Sequence, residues 1–304
     1  MRALCEVVAR RREGAYLSLS VAAAEIADRA LPGQFINVAV GAPGCVLRRP
    51  FSIHRTSGQG QTRPSLPGTV EFVFDAHGPG TRWLAERETH DVLDVVGPLG
   101  SPFRLPAQRL ACLLVGGGYG TAPLFFLAEH LHADGQRVDM LVGAASADRI
   151  LSAIEAKRTS ASVTFTTEDG THGITGRVTD VLEDVARDCN SSVVYACGPM
   201  PMLRAVAGIC ADLHLPCQVA VEEHMACGVG VCWTCVVPVR GKDGRVRMKR
   251  SCLDGPVFNG ARIAWEESRF APAPAQDEFL PVPEEVPVDA TPRARSRTRD
   301  EEPW

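Results

Sequence analysis

Between residue 1 and about residue 105 the chain alternates apolar and polar positions in short runs: CEVVAR, AYLSLSV, QFINVAV, VLRRPFSIH, TVEFVFDA and DVLDVVG. A period of two marks strands with one buried face, and the glycine- and proline-bearing turns between them predict a small antiparallel β-barrel. TRWLAERE reads as a short helix, and SGQGQTRPSLPG at 57–68 as a long polar connection between two strands. From about 110 the rhythm changes. ACLLVGG, RVDMLVGAA, SVTFTTEDG and SVVYACGP are apolar runs of strand length, while APLFFLAEHLHADG, RILSAIEAK, VTDVLEDVARD and MLRAVAGICADLH are helical. Such alternation predicts a doubly wound parallel sheet with helices on both faces. A further strand over 218–223 leads into a cysteine-rich segment. The expected organisation is multi-domain, β plus α/β: a barrel at 1–105, an α/β domain at 106–217, a small cysteine-bearing domain at 218–268, and a tail at 269–304. Proline and charge dominate that tail, leaving too little apolar surface to offset ordering entropy, and it is expected to be disordered.

Composition adds limits. Of the 304 residues 45% are hydrophobic, enough for ordinary buried cores. The run LACLLVGGGYGTAPLFFLA at 110–128 carries no charge, but its four glycines and one proline argue for strand, turn and helix over a membrane span. The N-terminal MRALCEVVARRREG lacks the apolar core of a secretion signal, so a cytoplasmic protein is expected. Eleven cysteines, an odd number without such a signal, speak against a disulfide framework. The net charge of −4 resides in the tail, where residues 271–304 hold eight acidic side chains against four Arg. The remaining 28 acidic and 28 basic residues balance, so no general attraction to nucleic acid is expected.

The chemistry lies in four motifs. Cys227, Cys232, Cys235 and Cys252 follow the spacing Cys-x4-Cys-x2-Cys, then sixteen residues, then Cys, which is the plant-type ligand pattern for a [2Fe–2S] cluster. Gly228 and Gly230 suit a loop whose backbone must approach sulfur closely. A structural zinc site is the alternative, although zinc ligands usually fall into two separated pairs. In LLVGGGYGTAP, Gly117, Gly118 and Gly120 end a strand and open a helix, the context in which backbone amides and the helix end face a pyrophosphate. No acidic residue marks a ribose contact in the following VGAASADR, which leaves NADH and NADPH open. Cys197, Gly198 and Pro199 form a second strand-to-helix turn. RRPFS at 48–52 offers Arg49 for a phosphate and the Ser52 hydroxyl for a ring nitrogen, and HGPGT at 77–81 is a turn or a phosphate cradle. No Ser–His–Asp or paired-carboxylate arrangement supports hydrolysis, and no residue is assigned as a catalytic acid, base or nucleophile.

In this order the motifs resemble the ferredoxin–NADP reductase superfamily. MACGVGVCWTC followed by SCLDGPVF is, within it, similar to the electron-transfer subunits of class 1B dihydroorotate dehydrogenase. That resemblance implies an oxidoreductase subunit of pyrimidine synthesis carrying FAD, a [2Fe–2S] cluster and NAD. Arg49, Pro50, Phe51 and Ser52 would bind FAD, with Arg49 on the pyrophosphate; Val73, Phe74 and Asp75 would form a second stretch, Gly80 and Thr81 a third. Asp75 stands where relatives often carry a basic residue. Gly117, Gly118 and Gly120 would cradle the nicotinamide nucleotide, with Cys197, Gly198 and Pro199 near the nicotinamide. The implied partner is an FMN-containing dihydroorotate dehydrogenase catalytic subunit, with two copies of each. A reductase subunit serving another acceptor, of sulfhydrogenase or ferredoxin–NADP reductase type, would carry the same cofactors. A non-enzymatic, zinc-stabilised module is the alternative of another class.

Overall fold

The alternating runs of the first hundred residues close on themselves. A computed structural model describes residues 1–57 and 68–267. The expected polar connection at 57–68, apart from Ser57 and Gly68 at its ends, and the expected tail at 269–304 lie outside the described residues. Six strands, β1 (Arg2–Glu13), β2 (Tyr16–Ala22), β3 (Phe35–Val38), β4 (Arg49–Ser57), β5 (Thr69–Phe74) and β6 (Val92–Leu99), form a closed antiparallel barrel in the order β1-β2-β5-β4-β3-β6. Closure leaves no strand edge unpaired. Two short helices, α1 (Ala24–Ala27) and α2 (Pro79–Ala85), sit in its connections. Leu19, Val21, Ile36, Val38, Phe51, Ile53, Phe72 and Phe74 fill the interior. β5 is buried at every position because its other face is also covered: Val73 packs into the core of the neighbouring sheet.

That sheet begins with β7 (Ala111–Gly117), α3 (Ala122–Ala133) and β8 (Arg137–Ala144), and continues through α4 (Ala153–Thr159), β9 (Ser162–Thr167) and β10 (Ile174–Thr175). α5 (Val178–Asp188), β11 (Val193–Cys197), α6 (Met200–Asp212) and β12 (Cys217–Ala220) complete the alternation. The strand order is β10-β9-β8-β7-β11-β12, parallel throughout, with a seventh, antiparallel strand, Val257–Asn259, beyond β12. Both faces are covered, so the strands read as continuous apolar runs. Cys112, Leu114, Met140 and Val142 pack towards α3; Leu113, Val115 and Leu141 pack towards α5 and α6. The first two turns of α3, through Ala128, are buried on all sides because they are sandwiched. Leu124 and Leu127 face the sheet core, Phe126 joins the barrel core, and His54 Nδ1 of β4 lies 2.8 Å from the Ala122 carbonyl.

RILSAIEAK does not form the single helix its pattern suggests. Ile150 and Leu151 dive into the core, Ser152 takes a left-handed turn at φ +49°, and the helix starts only at Ala153. The last segment also departs from a free-standing domain. β13 (Val236–Arg240) and β14 (Val246–Arg250) make a separate hairpin, but β15 (Val257–Asn259) pairs with β12. The expected boundary at 217/218 therefore falls inside a strand of the large sheet. No helix among the described residues is long and apolar enough to cross a membrane.

Candidate functional site

The β13–β14 hairpin explains the sixteen-residue gap between the third and fourth cysteines. Cys235 immediately precedes β13 and Cys252 follows β14, and the Ser251 amide and hydroxyl both donate to the Cys235 carbonyl, at 2.8 and 2.5 Å. Two distant positions are thus laid side by side and buried, at 1% and 2% exposure. Cys227 and Cys232 form the other pair on the loop before it, with Cys232 at the surface. The loop turns back on itself through Gly228, Gly230 and Trp233, all at positive φ. As a result the amides of Val229, Val231 and Cys232 donate to Cys227 Sγ at 3.5, 3.3 and 3.5 Å, and the Thr234 hydroxyl donates to Cys232 Sγ at 3.2 Å. Donors aimed at sulfur stabilise thiolate. The Thr234 hydroxyl, with backbone donors, pulls the Cys232 thiol down to about 6, whereas burial, then the Cys235 thiol, push Cys252 up to about 12.

Two thiol pairs fit a two-iron cluster, in which each iron takes two cysteines and shares the bridging sulfides. The donor set therefore suits two irons better than one zinc.

On the barrel, the two arginines of RRPFS have separate tasks. Arg48 donates to both the carboxylate and the carbonyl of Asp94, at 2.7 and 2.8 Å. Arg2 grips the same carboxylate, and the two guanidinium groups hold Asp94 down to about 2. Arg49 forms no ion pair among the described residues. Carbonyls of Leu47 and Arg48 orient its guanidinium, at 2.8 and 3.4 Å, and leave its charge unneutralised. Gly80 lies beneath it: a Cβ there would stand 3.2 Å from Arg49 Nε. The Thr81 hydroxyl accepts from the Gly78 amide at 3.0 Å, shaping the turn. Arg49, Gly80 and Thr81 are thus brought together as a cationic cradle of the kind a pyrophosphate needs.

Phe51 is a partial exception to the expected set. Its ring is inside the barrel, stacked on Phe72 at 4.9 Å and tilted against Phe74 at 5.7 Å, so only its backbone is available to a ligand. Phe74 is likewise interior. Pro50 and Ser52, half-buried, stand on the outer face. Asp75 is engaged with Arg149 at 3.3 Å across the junction between barrel and sheet, where the Tyr16 hydroxyl also donates to the Arg149 carbonyl at 3.1 Å.

The two nucleotide turns meet at the carboxyl ends of adjacent strands β7 and β11, where Cys197 pairs with Gly116. This is the switch point of the sheet, since β8 and β9 lie to one side and β11 and β12 to the other. A Cβ on Gly120 would lie 2.7 Å from Gly198 Cα, and one on Gly117 would lie 2.6 Å from Met202 Sδ and 3.1 Å from Pro199 Cδ. A cavity of about 530 Å³ opens in front, lined by Gly117, Gly118, Gly120, Arg149, Pro199 and Glu222 among others. The Tyr119 hydroxyl donates to Glu222 at 2.5 Å, closing one side of it. Burial, then the Glu222 charge, push the Cys197 thiol up, so it is a neutral group at physiological pH.

The sequence reading missed Arg149, Tyr119 and Glu222. Tyr119 occupies the free position of the glycine turn, and neither of the others stands in a motif.

Comparison with known proteins decides the family. A profile described as the iron-sulfur cluster binding domain of dihydroorotate dehydrogenase B matches residues 222–264, and one for an oxidoreductase NAD-binding domain matches 114–208. The dihydroorotate dehydrogenase B (NAD(+)) electron transfer subunit of Desulforamulus reducens is 34% identical over 80% of this chain and 90% of its own. That of Geobacillus kaustophilus is 40% identical over 76% of this chain and 86% of its own. The chain belongs to this family of electron transfer subunits. The fold agrees: a structure of NADH-dependent reduced ferredoxin–NADP oxidoreductase, described for flavin-based electron bifurcation, superposes with a TM-score of 0.75 at 28% identity, over 87% of this chain and 91% of that one. The ferredoxin reductase of carbazole 1,9a-dioxygenase gives 0.59 at 22% identity, over 71% and 67%. An oxidoreductase subunit carrying FAD, NAD and a [2Fe–2S] cluster is the family assignment of this chain.

Proposed function

We propose that this chain carries electrons from an FMN-containing subunit that oxidises dihydroorotate to NAD+, in an assembly of two copies of each subunit. When bound, FAD supplies the exchange between hydride pairs and single electrons that NAD and a [2Fe–2S] cluster require of a mediator. The residues divide the remaining work. Arg49, with Gly80 and Thr81, holds the FAD pyrophosphate, and the outer face of Pro50 and Ser52 seats the flavin, with Val73, Phe74 and Asp75 on the adjoining strand. Gly117, Gly118 and Gly120 cradle the nucleotide, while Cys197, Gly198 and Pro199 border the nicotinamide and exclude water there. Cys227, Cys232, Cys235 and Cys252 ligate the irons.

The observation that carries the reading is the setting of the cysteine loop. Around the exposed Cys232, Val229, Val231 and Trp233, with Leu253 against Gly230, are all about half exposed or more, with Val231 at 76%. Apolar surface concentrated at a redox centre is what a partner subunit covers. Charge in the hairpin contributes less than its sequence suggests: Arg240, Arg247 and Lys249 already pair with Glu266, Asp243 and Asp254. The test is reconstitution. Mixed with an FMN-containing dihydroorotate-oxidising subunit, the protein is expected to make NAD+ reduction depend on dihydroorotate. Reduction of ferredoxin but not of NAD+ with that partner would favour the other-acceptor reading instead.

A further inference from the structure

Strand β3 lies beside β4, and its outer face carries the cysteine loop. It pairs with β4 in the register Phe35↔Ser52, Ile36↔Phe51, Asn37↔Pro50 and Val38↔Arg49. Residues directly opposite in an antiparallel pair project to one face. Ile36 and Phe51 fill the barrel, so Phe35, Asn37, Pro50 and Ser52 share the outer side. On that side Phe35 packs against Cys235 and Cys252, and Asn37 Nδ2 donates to the Cys227 carbonyl at 3.2 Å. Asn37 is 1% exposed, and its Oδ1 is buried with no hydrogen-bond partner among the described residues. An apolar side chain of the same volume would fill the space without leaving a buried acceptor unpaired, so packing alone does not account for an amide here. The contact is also shaped from the other side. Gly228, at φ +68°, lies so close that any side chain there would collide with the Asn37 amide.

We propose that Asn37 is a positioning residue: its amide N–H pins the first cluster ligand, Cys227, at a fixed distance from the Pro50–Ser52 face and so keeps cluster and flavin in electron-transfer register. The inference rests on the flavin and cluster reading given above. Asn37 does not line the nucleotide cavity. Its removal therefore separates two events that share one protein, reduction of the flavin by NADH and onward transfer to the cluster.

The experiment uses the full-length protein, purified anaerobically, with Asn37→Asp, which keeps the size but has no N–H, and Asn37→Leu, which fills the volume. Both variants are expected to bind FAD with the wild-type flavin spectrum and to reduce ferricyanide with NADH at the wild-type rate. The electron paramagnetic resonance signal of the reduced cluster is expected to shift or broaden, and bleaching of the cluster after the flavin to slow by roughly tenfold or more, as misplacement at a reacting centre does. Selective loss of cluster with FAD retained supports the proposal equally. An unchanged resonance signal and bleaching rate in both variants would overturn it. So would parallel loss of flavin and cluster, because Asn37 would then merely support the barrel. Absence of flavin and acid-labile sulfide from the wild-type protein would remove the underlying reading, and this proposal with it, before any substitution is compared.

Discussion

The turn at 116–120 and the loop at 227–235 both bend at glycine in positive φ, Gly118 in the first and Gly228 and Gly230 in the second, yet they are held differently. Behind the cavity the turn is held by close neighbours; Gly120 lies against the backbone of Gly198 and Gly117 against the side chain of Met202. Its shape is a by-product of two strands ending side by side in a close-packed sheet. The loop has few such neighbours. Val231 and Trp233 stand in solvent, and outside its own sulfur-directed amides it is tied by Asn37, by Ser251 at the Cys235 carbonyl, and by Arg250, which donates to the Gly230 carbonyl at 2.7 Å and stacks over Trp233 at 4.5 Å. The nucleotide turn is thus held by close packing within the sheet, while the cluster loop is held by a few hydrogen bonds and one stacked ring.

If that contrast holds, substitutions in the two regions should fail in different ways. Cys252→Ser should have the largest effect. Dihydroorotate-dependent NAD+ reduction should fall by more than the roughly hundredfold typical of outer-shell changes at metal sites, with loss of acid-labile sulfide, while FAD and NADH–ferricyanide activity remain. Gly120→Ala should do the reverse. A methyl forced against the Gly198 backbone costs about 1–3 kcal/mol, expected as a rise in KM for NADH of roughly tenfold or more, with the cluster spectrum intact. Next comes Arg49→Ala, removing an unneutralised cation at about 1.5–3 kcal/mol for a charged hydrogen bond. FAD should dissociate about tenfold or more readily on dilution, measured by flavin fluorescence, with cluster content unchanged.

The smallest effect concerns neither site. Asp94 is held near 2 first by the hydrogen bond from Arg2, then by Arg48, against an ordinary value of 3.8. A depressed folded value contributes stability above the unfolded value and loses it as pH falls through about 4 towards 2. Because Arg2 is largely exposed, Asp94→Asn should cost only about 1 kcal/mol at neutral pH, and the difference in denaturant midpoint should vanish in that acid window.

How legible this was depended on whether a feature was local. Period-two alternation marked strands such as β1 and β6, which have one wet and one dry face, and β5, covered on both, was still legible from its β-branched and aromatic residues. The cysteine spacing was readable because four ligands and a hairpin impose it. RILSAIEAK misled because Ile150 and Leu151 are anchors driven into the core, not one face of a helix. Which arginine of RRPFS is structural is decided by Asp94, far along the chain on β6. Phe51 looked like a flavin contact until the pairing register placed it opposite Ile36, inside the barrel. The Asp75–Arg149 and Tyr119–Glu222 pairs join segments with no sequence signal relating them. Local periodicity carries elements and ligand sets; contacts across elements exist only once the chain has folded.

The central claim is that a flavin held on the barrel stands between the nucleotide and the cluster. It is tested most directly by mixing NADH anaerobically with protein from which FAD has been reversibly removed, and following the cluster's visible absorption. The cluster should stay oxidised without FAD and bleach once FAD is restored. Prompt bleaching in the flavin-free protein would contradict the account.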